Sequence, residues 1–349
     1  MAAKYTKQRK NTNRDLVCLL IFVGLTILIT LLPLDAYYRK ITNLCLINVV
    51  LGLSLNLVNG YTGLFSLGHY GFMALGAYVT AILTMSQESK EAYYMIEPAY
   101  DWILKLHLPL IPALIFAGLI AAFFGFLISL PVLRLNDDYL AIASMGFAEI
   151  ILVLIRTQFR LTNGALGLKG VPRTTSSVLY GAVAIIMVIF MLTLTKSNKG
   201  RNLIAIRENE IAARAVGINA FRHKVISFTW SSFWAGVGGG LMATLIGTVN
   251  PMQFTFQLTF NILLIVVLGG MGKTWGNIVS AIIVTFALEI LRFLDEPMDL
   301  LFIKSDGMPG LRMVIFSLLL IIIVNLRARN GKKKRNKKLE EEKEALPNA

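Results

Sequence analysis

The residues best suited to chemistry in this chain lie within or beside long apolar blocks. Glu149 is central to the block 139–156, where a charged side chain costs about 2.5–3.5 kcal/mol on insertion scales. The side chain is therefore expected to face a bundle interior or water. There it could stay protonated, pair with a neighbour or contact a substrate ammonium group. A structural hydrogen bond explains it equally well.

Residues 56–78 combine repeated glycines with polar side chains. A lipid-facing helix has no use for this composition, because small residues let helix backbones approach and polar groups need partners inside a bundle. It predicts either a broken helix that lines a substrate path or a tight helix contact with a short turn. A histidine at such a turn can also simply satisfy a backbone carbonyl. The candidates for the path are Asn56, Gly60, Gly63, Ser66, Gly68, His69 and Glu149.

Residues 200–219 form a strongly charged segment with apolar residues at spacings of three and four. This spacing predicts one amphipathic helix over about 202–217. Such a helix can lay its apolar stripe into a groove on a partner protein. The alternative is a helix that rests on lipid head groups, but the mixture of acidic and basic residues disfavours pure lipid binding.

The connector 162–172 is rich in glycine and is closed by Pro172. Turn chemistry of this kind predicts a shaped loop, and its positive charge could dock an acidic external partner. The alternative is that the segment is an ordinary connector and that its assignment to the external face of the membrane is wrong. The docking candidates are Asn163, Gly164, Gly167 and Lys169.

The composition predicts that these residues lie on or between transmembrane helices. The 349 residues are 56% hydrophobic, and the apolar ones fall into blocks that are each long enough for a helix to cross a bilayer. We therefore expect an all-α membrane protein with about ten transmembrane helices, some of them broken. The expected spans are 16–34, 42–58, 66–85, 109–131, 139–156, 177–195, 225–248, 257–271, 276–294 and 311–326.

The charge distribution sets the expected topology. The net charge is +14, and basic residues concentrate before the first block and after the last. This placement indicates anchors at the cytoplasmic face and anionic lipid heads, and not nucleic-acid binding. We expect cytoplasmic tails at 1–15 and 327–349, a transmembrane domain at 16–326 and a cytoplasmic loop at 196–224. The segment 157–175 falls outside although it contains Arg160, Lys169 and Arg173. The two cysteines indicate neither a disulfide framework nor a metal site.

Two glycine clusters hint at internal repetition. Gly-Tyr-Thr-Gly at 60–63 and Gly-Gly-Met-Gly at 269–272 both interrupt apolar sequence just before another span. Transporters often place broken helices at related positions of two halves. The pattern is faint, because glycine is frequent in membrane helices in general.

Three motifs carry a resemblance to a known family. Ile-Ala-Ala-x-x-x-Gly at 211–217 resembles the coupling loop of bacterial ATP-binding-cassette (ABC) importer permeases, although Ile211 stands where the general motif has Glu. Arg-Glu-Asn-Glu-Ile-Ala-Ala at 207–213, Gly-Tyr-Thr-Gly-Leu-Phe-Ser-Leu-Gly-His at 60–69 and Val-Leu-Gly-Gly-Met-Gly-Lys-Thr-Trp-Gly at 267–276 resemble the branched-chain amino acid permeases of the LivM type. The resemblance covers about residues 42–326.

The resemblance implies a subunit of a larger machine in the bacterial inner membrane. Its expected partners are two ABC ATPase subunits, a LivH-type second permease and an extracytoplasmic substrate-binding protein. The chain would not be an enzyme, since ATP and Mg would bind to the ATPases, and we expect no cofactor or metal of its own. The residues implied in ATPase coupling are Arg207, Glu208, Asn209, Glu210, Ile211, Ala212, Ala213 and Gly217.

Other functions remain open at this point. Urea and short-amide importers use similar permeases, so the substrate preference for Leu, Ile and Val has an alternative. A secondary transporter or channel would rely on intramembrane acids such as Glu149, but it has no role for a coupling helix. A membrane-embedded enzyme would need clustered His, Asp or Ser groups, whereas His69, His107 and His223 lie in different loops.

Overall fold

A computed structural model describes residues 2–291 apart from 34, 95, 96, 136 and 175, together with 298–300 and 303–305. The helices are α1 (Ala2–Leu31), α2 (Ala36–Leu55), α3 (His69–Thr84), α4 (Gln87–Tyr93), α5 (Asp101–Lys105), α6 (Leu110–Val132), α7 (Asp137–Thr157), α8 (Phe159–Thr162), α9 (Ser177–Lys196), α10 (Asn198–Glu208), α11 (Glu210–Ala215), α12 (Ala220–Ile246), α13 (Phe256–Gly269) and α14 (Thr274–Ile290). A π-helical turn (Asn56–Thr62) continues α2, and 3-10 turns lie at Gly164–Leu166 and Pro251–Gln253. The strands are β1 (Leu168–Lys169), β2 (Thr248–Val249), β3 (Met298–Leu300) and β4 (Ile303–Ser305).

The fold is that of an all-α membrane protein, as the composition predicts. Six helical segments of the described part are long and apolar enough to cross a bilayer: Asn13–Leu31, Ala36–Thr62, Leu110–Val132, Tyr139–Thr157, Ser177–Lys196 and Pro251–Gly269. The helix Thr274–Ile290 is apolar but shorter. Each predicted span before residue 292 overlaps a helix of the described part. Residues 292–294 of the ninth predicted span, the span at 311–326 and the tail at 327–349 lie outside the described residues. The number of crossings remains a prediction.

Burial separates the central helices from those that face lipid. The most apolar window of Ala36–Thr62 is 83% buried, whereas that of Asn13–Leu31 is 11% buried. The helices α3 and α12 are central as well, and α12 packs against α2, α3 and α6. Close packing between helices suits the many Gly, Ser and Thr residues of α3 and α12, because small side chains let backbones approach.

At each end of the bundle, contacts join loops that are expected to lie on the same face of the membrane. At one end Asp15 pairs with Lys196 (2.9 Å) and accepts a hydrogen bond from Trp275 Nε1 (3.2 Å). At the other end Arg160 pairs with Glu97 at 3.0 Å. These contacts agree with the expected grouping of the loops, and that grouping, like the assignment of each end to cytoplasm or exterior, stays a prediction.

The described residues divide into two compact units, with the boundary between Ile282 and Ile283. The first contains α1 to α13 and most of α14, together with β1 and β2, which are antiparallel with Leu168 opposite Val249. The second contains the end of α14 and a hairpin in which Met298 of β3 lies opposite Ser305 of β4.

Candidate coupling and substrate-path site

The glycine-rich stretch after α2 is a break between two helices. The π-helical turn Asn56–Thr62 ends at Gly63, whose φ of 79° lies in the left-handed region that glycine adopts without strain. Residues 63–68 have no regular secondary structure, and α3 begins only at His69. The composition predicts such a break. Its place on a substrate path stays a prediction.

Side chains satisfy the backbone of this break. Ser66 N donates to Asn59 Oδ1 at 3.3 Å, and Asn59 Nδ2 donates to Ser66 O at 3.4 Å. Leu67 N donates to Ser144 Oγ of α7 at 3.0 Å. Non-helical backbone at membrane depth needs such partners, because hydrocarbon supplies none. Ser66 is therefore buried as part of the fold of the break.

The first turn of α3 is anchored to two other helices. His69 is 4% exposed, and its Nε2 lies 2.8 Å from Ser54 Oγ of α2. Tyr70 N donates to Thr259 Oγ1 of α13 at 2.9 Å. Gly68 precedes this turn and packs against the Ser144 backbone of α7. His69 is thus paired with a hydroxyl group, and the contact fixes where α3 begins.

Glu149 is half-buried on α7 and has a partner on α3. Tyr70 Oη donates to Glu149 Oε1 at 2.9 Å and also lies 3.3 Å from Met145 O. Of the roles open to Glu149 from the sequence, the structure therefore shows the pairing with a neighbour. The carboxylate still has a second oxygen for a further donor.

The charged segment is two helices and not the single helix that its spacing predicts. The chain leaves α10 at Asn209, which has φ −160° and ψ 105°, and α11 begins at the next residue. Asn209 Oδ1 accepts a hydrogen bond from Ala212 N at 3.0 Å. Asparagine favours this N-cap arrangement because its side chain replaces a helical backbone partner. The prediction of one helix over 202–217 was therefore wrong.

Gly217 ends α11 in a Schellman arrangement. Ile218 N donates to Ala213 O at 3.1 Å, and Gly217 N donates to Arg214 O at 3.0 Å. The arrangement needs a left-handed residue, and Gly217 has a φ of 84°. The glycine of the predicted coupling motif thus has a backbone role, which is to turn the chain from α11 towards α12.

Glu210 ties α11 to the start of α12. Its carboxylate pairs with Lys224 at 2.7 Å and also with Arg214. Burial alone would raise the pKa of Glu210, but the hydrogen bonds and charges of Lys224 and Arg214 outweigh burial and lower it. The carboxylate is therefore charged at neutral pH and holds α11 in place.

The two sides of α11 differ in exposure. Ala213 is 4% exposed and packs in a cluster with Ile206 and Ala220. Ile211 and Val216 are 83% and 77% exposed. Glu208, Asn209 and Ala212 are exposed as well. Of the predicted coupling residues, Ala213 therefore packs inward and the large apolar side chain of Ile211 projects outward; Val216, which follows α11, projects outward as well.

Arg207 brings the coupling segment against the helix break. Its Nη1 donates to Gly60 O at 2.8 Å. Asn56 Oδ1 accepts from Gly272 N at 2.8 Å, so the glycine cluster at 269–272 meets the one at 60–63. Asn56, Gly60 and Gly63 thus lie beside the coupling segment. Ser66 and Gly68 lie in the irregular segment 63–68, His69 begins α3 and Glu149 lies on α7. The sequence shows both clusters, but it contains no local signal that they touch.

A cavity lies beside the coupling segment. Its volume is about 590 Å³, and its lining includes Leu203 of α10, Phe190 of α9 and Trp230 of α12. The helix α10 is therefore not closely packed on this side. Within the described residues no group of three or more His, Cys, Asp or Glu could hold a metal ion.

The loop 157–175 has a defined shape. Asn163 has a φ of 59°, and its Nδ2 donates to Tyr93 O at 3.1 Å and to Gly167 O at 2.7 Å. Gly164 and Gly167 are buried, whereas Lys169 is exposed. Of the four docking candidates, three therefore shape the loop and Lys169 presents its charge to solvent.

The basic character of this loop has internal reasons. Arg160 is paired with Glu97, and its guanidinium lies 5.7 Å from the centroid of the Tyr100 ring. Arg173 Nε donates to Ile246 O at 3.1 Å. Two of the positive charges that do not fit the expected topology are therefore used in contacts within the chain.

The chain is similar to membrane permeases in both family and sequence comparisons. A family model described as branched-chain amino acid transport system / permease component matches residues 37–324. The high-affinity branched-chain amino acid transport system permease protein LivM of Escherichia coli (strain K12) is 36% identical over 290 residues, which cover 73% of this chain and 64% of that relative. The chain thus spans less than two thirds of that relative's length.

More distant relatives match as well. The probable branched-chain amino acid transport permease protein LivM of Methanocaldococcus jannaschii is 24% identical over 70% of this chain and 79% of its own length. The L-arabinose transport system permease protein AraH of Escherichia coli (strain K12) is 31% identical over 40% of each chain. No solved structure matches.

Proposed function

Because the chain belongs to the family of branched-chain amino acid transport permeases, we propose that it is the membrane-spanning permease subunit of an ATP-binding-cassette importer. The chain is a multi-pass membrane protein. In this proposal it resides in the bacterial cytoplasmic membrane with about ten transmembrane helices. Both termini and the loop 196–224 face the cytoplasm. Leucine, isoleucine and valine are its substrates.

The exposed apolar side of α11 supports the ATPase partner. Ile211 and Val216 project from a helix that is fixed by its Asn209 N-cap, its Gly217 C-cap and the Glu210–Lys224 ion pair. Large apolar side chains on a rigid element at a polar end of a bundle indicate a surface that a partner covers. In this proposal α11 seats in a cleft of one of the two ATPase subunits. ATP and Mg bind to the ATPases, and this chain hydrolyses nothing.

The remaining partners cover other surfaces of the chain. In this proposal a LivH-type second permease and membrane lipid contact its exposed apolar faces. A substrate-binding protein docks outside on the loop 157–175, where Lys169 and the half-exposed Leu166 are available. Complementary charge at such a contact would speed association more than it would tighten binding.

Co-purification tests the docking of the ATPases. The chain is expressed together with two candidate ATPases, a second permease and a substrate-binding protein from the same organism. Ile211→Glu should abolish recovery of the ATPases while the second permease still co-purifies. Arg201→Ala, an exposed change on α10, is the matched control. Full recovery of the ATPases with Ile211→Glu would show that α11 is not their docking element.

Reconstituted transport tests the power source and the substrate. Proteoliposomes that contain the whole complex should take up labelled leucine only with ATP on the ATPase side and with the binding protein present. Uptake by this chain without ATPases would favour a secondary transporter or channel. Uptake of urea in place of leucine would identify the chain as a permease of a urea importer. The similarity to the arabinose permease covers 40% of the chain, and we therefore rank the sugar below amino acids.

A further inference from the structure

The side chain of Arg207 lies in a slot between two glycine turns. Arg207 is near the end of α10, just before the break at Asn209. A Cβ on Gly63 would come within 2.7 Å of Arg207 Cγ, and one on Gly272 would come within 2.4 Å of Arg207 Nη1. A side chain on Gly63 would collide with the stem of Arg207, and one on Gly272 would displace its guanidinium; both glycines also have a left-handed φ, 79° and 75°, which other residues adopt only with strain.

The guanidinium points into the membrane domain. Nη1 donates to Gly60 O at 2.8 Å, while Nε donates to Glu208 Oε1 at 3.1 Å. An arginine that only anchored the loop to lipid would extend its charge into water. Here the side chain is 30% exposed, and it supplies a partner for a carbonyl at the end of the π-helical turn, where backbone partners run out.

The two glycine turns are joined to each other as well as to Arg207. Gly272 N donates to Asn56 Oδ1 at 2.8 Å, and the hydroxyl groups of Tyr61 and Thr274 lie 2.7 Å apart. The turns before α3 and before α14 are therefore held as one body. The irregular segment 63–68 leads directly from these turns to His69 and the first turn of α3.

We propose that Arg207 is a positioning residue that transmits displacement of the coupling segment to both glycine turns at once, and through the turn at 60–63 to the start of α3. The inference rests on the proposed importer function, because it needs an ATPase that moves α11. The cavity beside α10 is lined by Lys199 and Leu203, which lie two turns and one turn before Arg207 on the same side of that helix. The Arg207 contact is thus a direct link from the coupling segment into the break.

Arginine is suited to this link because its planar fork can donate to Gly60 O and Glu208 together. A lysine would keep the charge but would have one nitrogen for both acceptors. We therefore expect Arg207→Ala and Arg207→Lys to lower the number of substrate molecules moved per ATP hydrolysed. The fall should be at least tenfold for alanine and smaller for lysine.

The experiment uses the complete complex in proteoliposomes and measures three quantities: ATPase recovery, ATP hydrolysis and leucine uptake. Arg207→Ala should retain the ATPases and lose uptake far more than hydrolysis. Arg201→Ala, on the same helix and outside the slot, should keep the wild-type ratio. If no ATPases were bound to the wild-type complex, the proposed importer function itself would be wrong. That result is distinguishable from a failure of the Arg207 inference, which concerns only the variant.

Three outcomes would overturn the inference. One is a normal ratio of uptake to hydrolysis in Arg207→Ala. Another is loss of the ATPases from that variant, which would make Arg207 a docking residue. A variant that loses uptake and hydrolysis in equal proportion would show a merely structural role and would also overturn it.

Discussion

Gly76 of α3 lies directly against Gly236 of α12. A Cβ on Gly76 would come within 2.0 Å of the Gly236 carbonyl oxygen. One turn away, a Cβ on Gly239 would lie 2.0 Å from Met73 O. The backbones of the two central helices therefore touch, as small residues allow in membrane bundles. This contact explains why neither helix resembles an ordinary apolar span.

Gly76→Ala should destabilise the bundle because the new methyl group meets a backbone that cannot move aside. Overpacking of this kind costs about 1–3 kcal/mol. The melting temperature of the purified protein, followed by tryptophan fluorescence, should fall by several degrees. Gly146→Ala on α7 is the control, since no atom lies within 4 Å of its Cβ position. Equal melting of both variants would contradict the close contact of α3 and α12.

Gly217 should tolerate asparagine better than valine. The φ of 84° at Gly217 lies in the left-handed region, which asparagine enters readily and a β-branched residue does not. Space is not the limit, because no atom lies within 4 Å of a Cβ built there. Gly217→Val should therefore weaken ATPase recovery, whereas Gly217→Asn should retain most of it. Equal recovery with both would show that the turn at the end of α11 is not needed for docking.

Glu210 should stabilise α11 only in its charged form. Its pKa is lowered from 4.5, so its contribution is present above that pH and disappears as the pH falls through the lower pKa of the folded state. Acidification below about pH 4 should loosen α11, and Glu210→Gln should do so at neutral pH.

Amide hydrogen exchange of α11 measures this effect. Faster exchange is expected in Glu210→Gln and in Lys224→Met, and the double variant should add less than the sum of the two. Purely additive effects would show that the Glu210–Lys224 pair does not hold the helix.

The predictable part of the fold is the part that depends on local pattern. Apolar blocks of about 20 residues locate the long helices, because lipid forces their backbones to pair internally. The break at Asn209 also had a local signal, since asparagine three residues before Ala212 is a typical N-cap. The amphipathic spacing outweighed this signal in the sequence analysis.

The candidate site could be predicted only in pieces. The coupling segment and the glycine clusters are visible as separate motifs. Their meeting is not visible, because the Asn56–Gly272 contact joins positions 216 residues apart. Arg207 looks like one more surface charge until the fold places its guanidinium against Gly60. The fold also decides which of the motif residues are exposed: Asn163 and Ala213 lie inside, while Ile211 lies outside.

Glu149 can be tested for separate structural and transport roles. Tyr70 Oη donates to its carboxylate at 2.9 Å, and glutamine keeps an acceptor there whereas leucine does not. Glu149→Leu should therefore lower the melting temperature, because Tyr70 Oη loses its closer acceptor and keeps only Met145 O at 3.3 Å. The loss of one such hydrogen bond costs about 0.5–1.5 kcal/mol. Glu149→Gln should melt like the wild type.

Transport then separates charge from hydrogen bonding at the same position. A half-buried carboxylate within a membrane bundle is costly unless its charge is used. We therefore expect Glu149→Gln to reduce leucine uptake in the assembled complex although its stability is normal. Tyr70→Phe is the matched variant, since it removes the donor and leaves the carboxylate in place. Unchanged uptake by Glu149→Gln would leave the Tyr70 hydrogen bond as the whole role of Glu149 and would remove it from the substrate path.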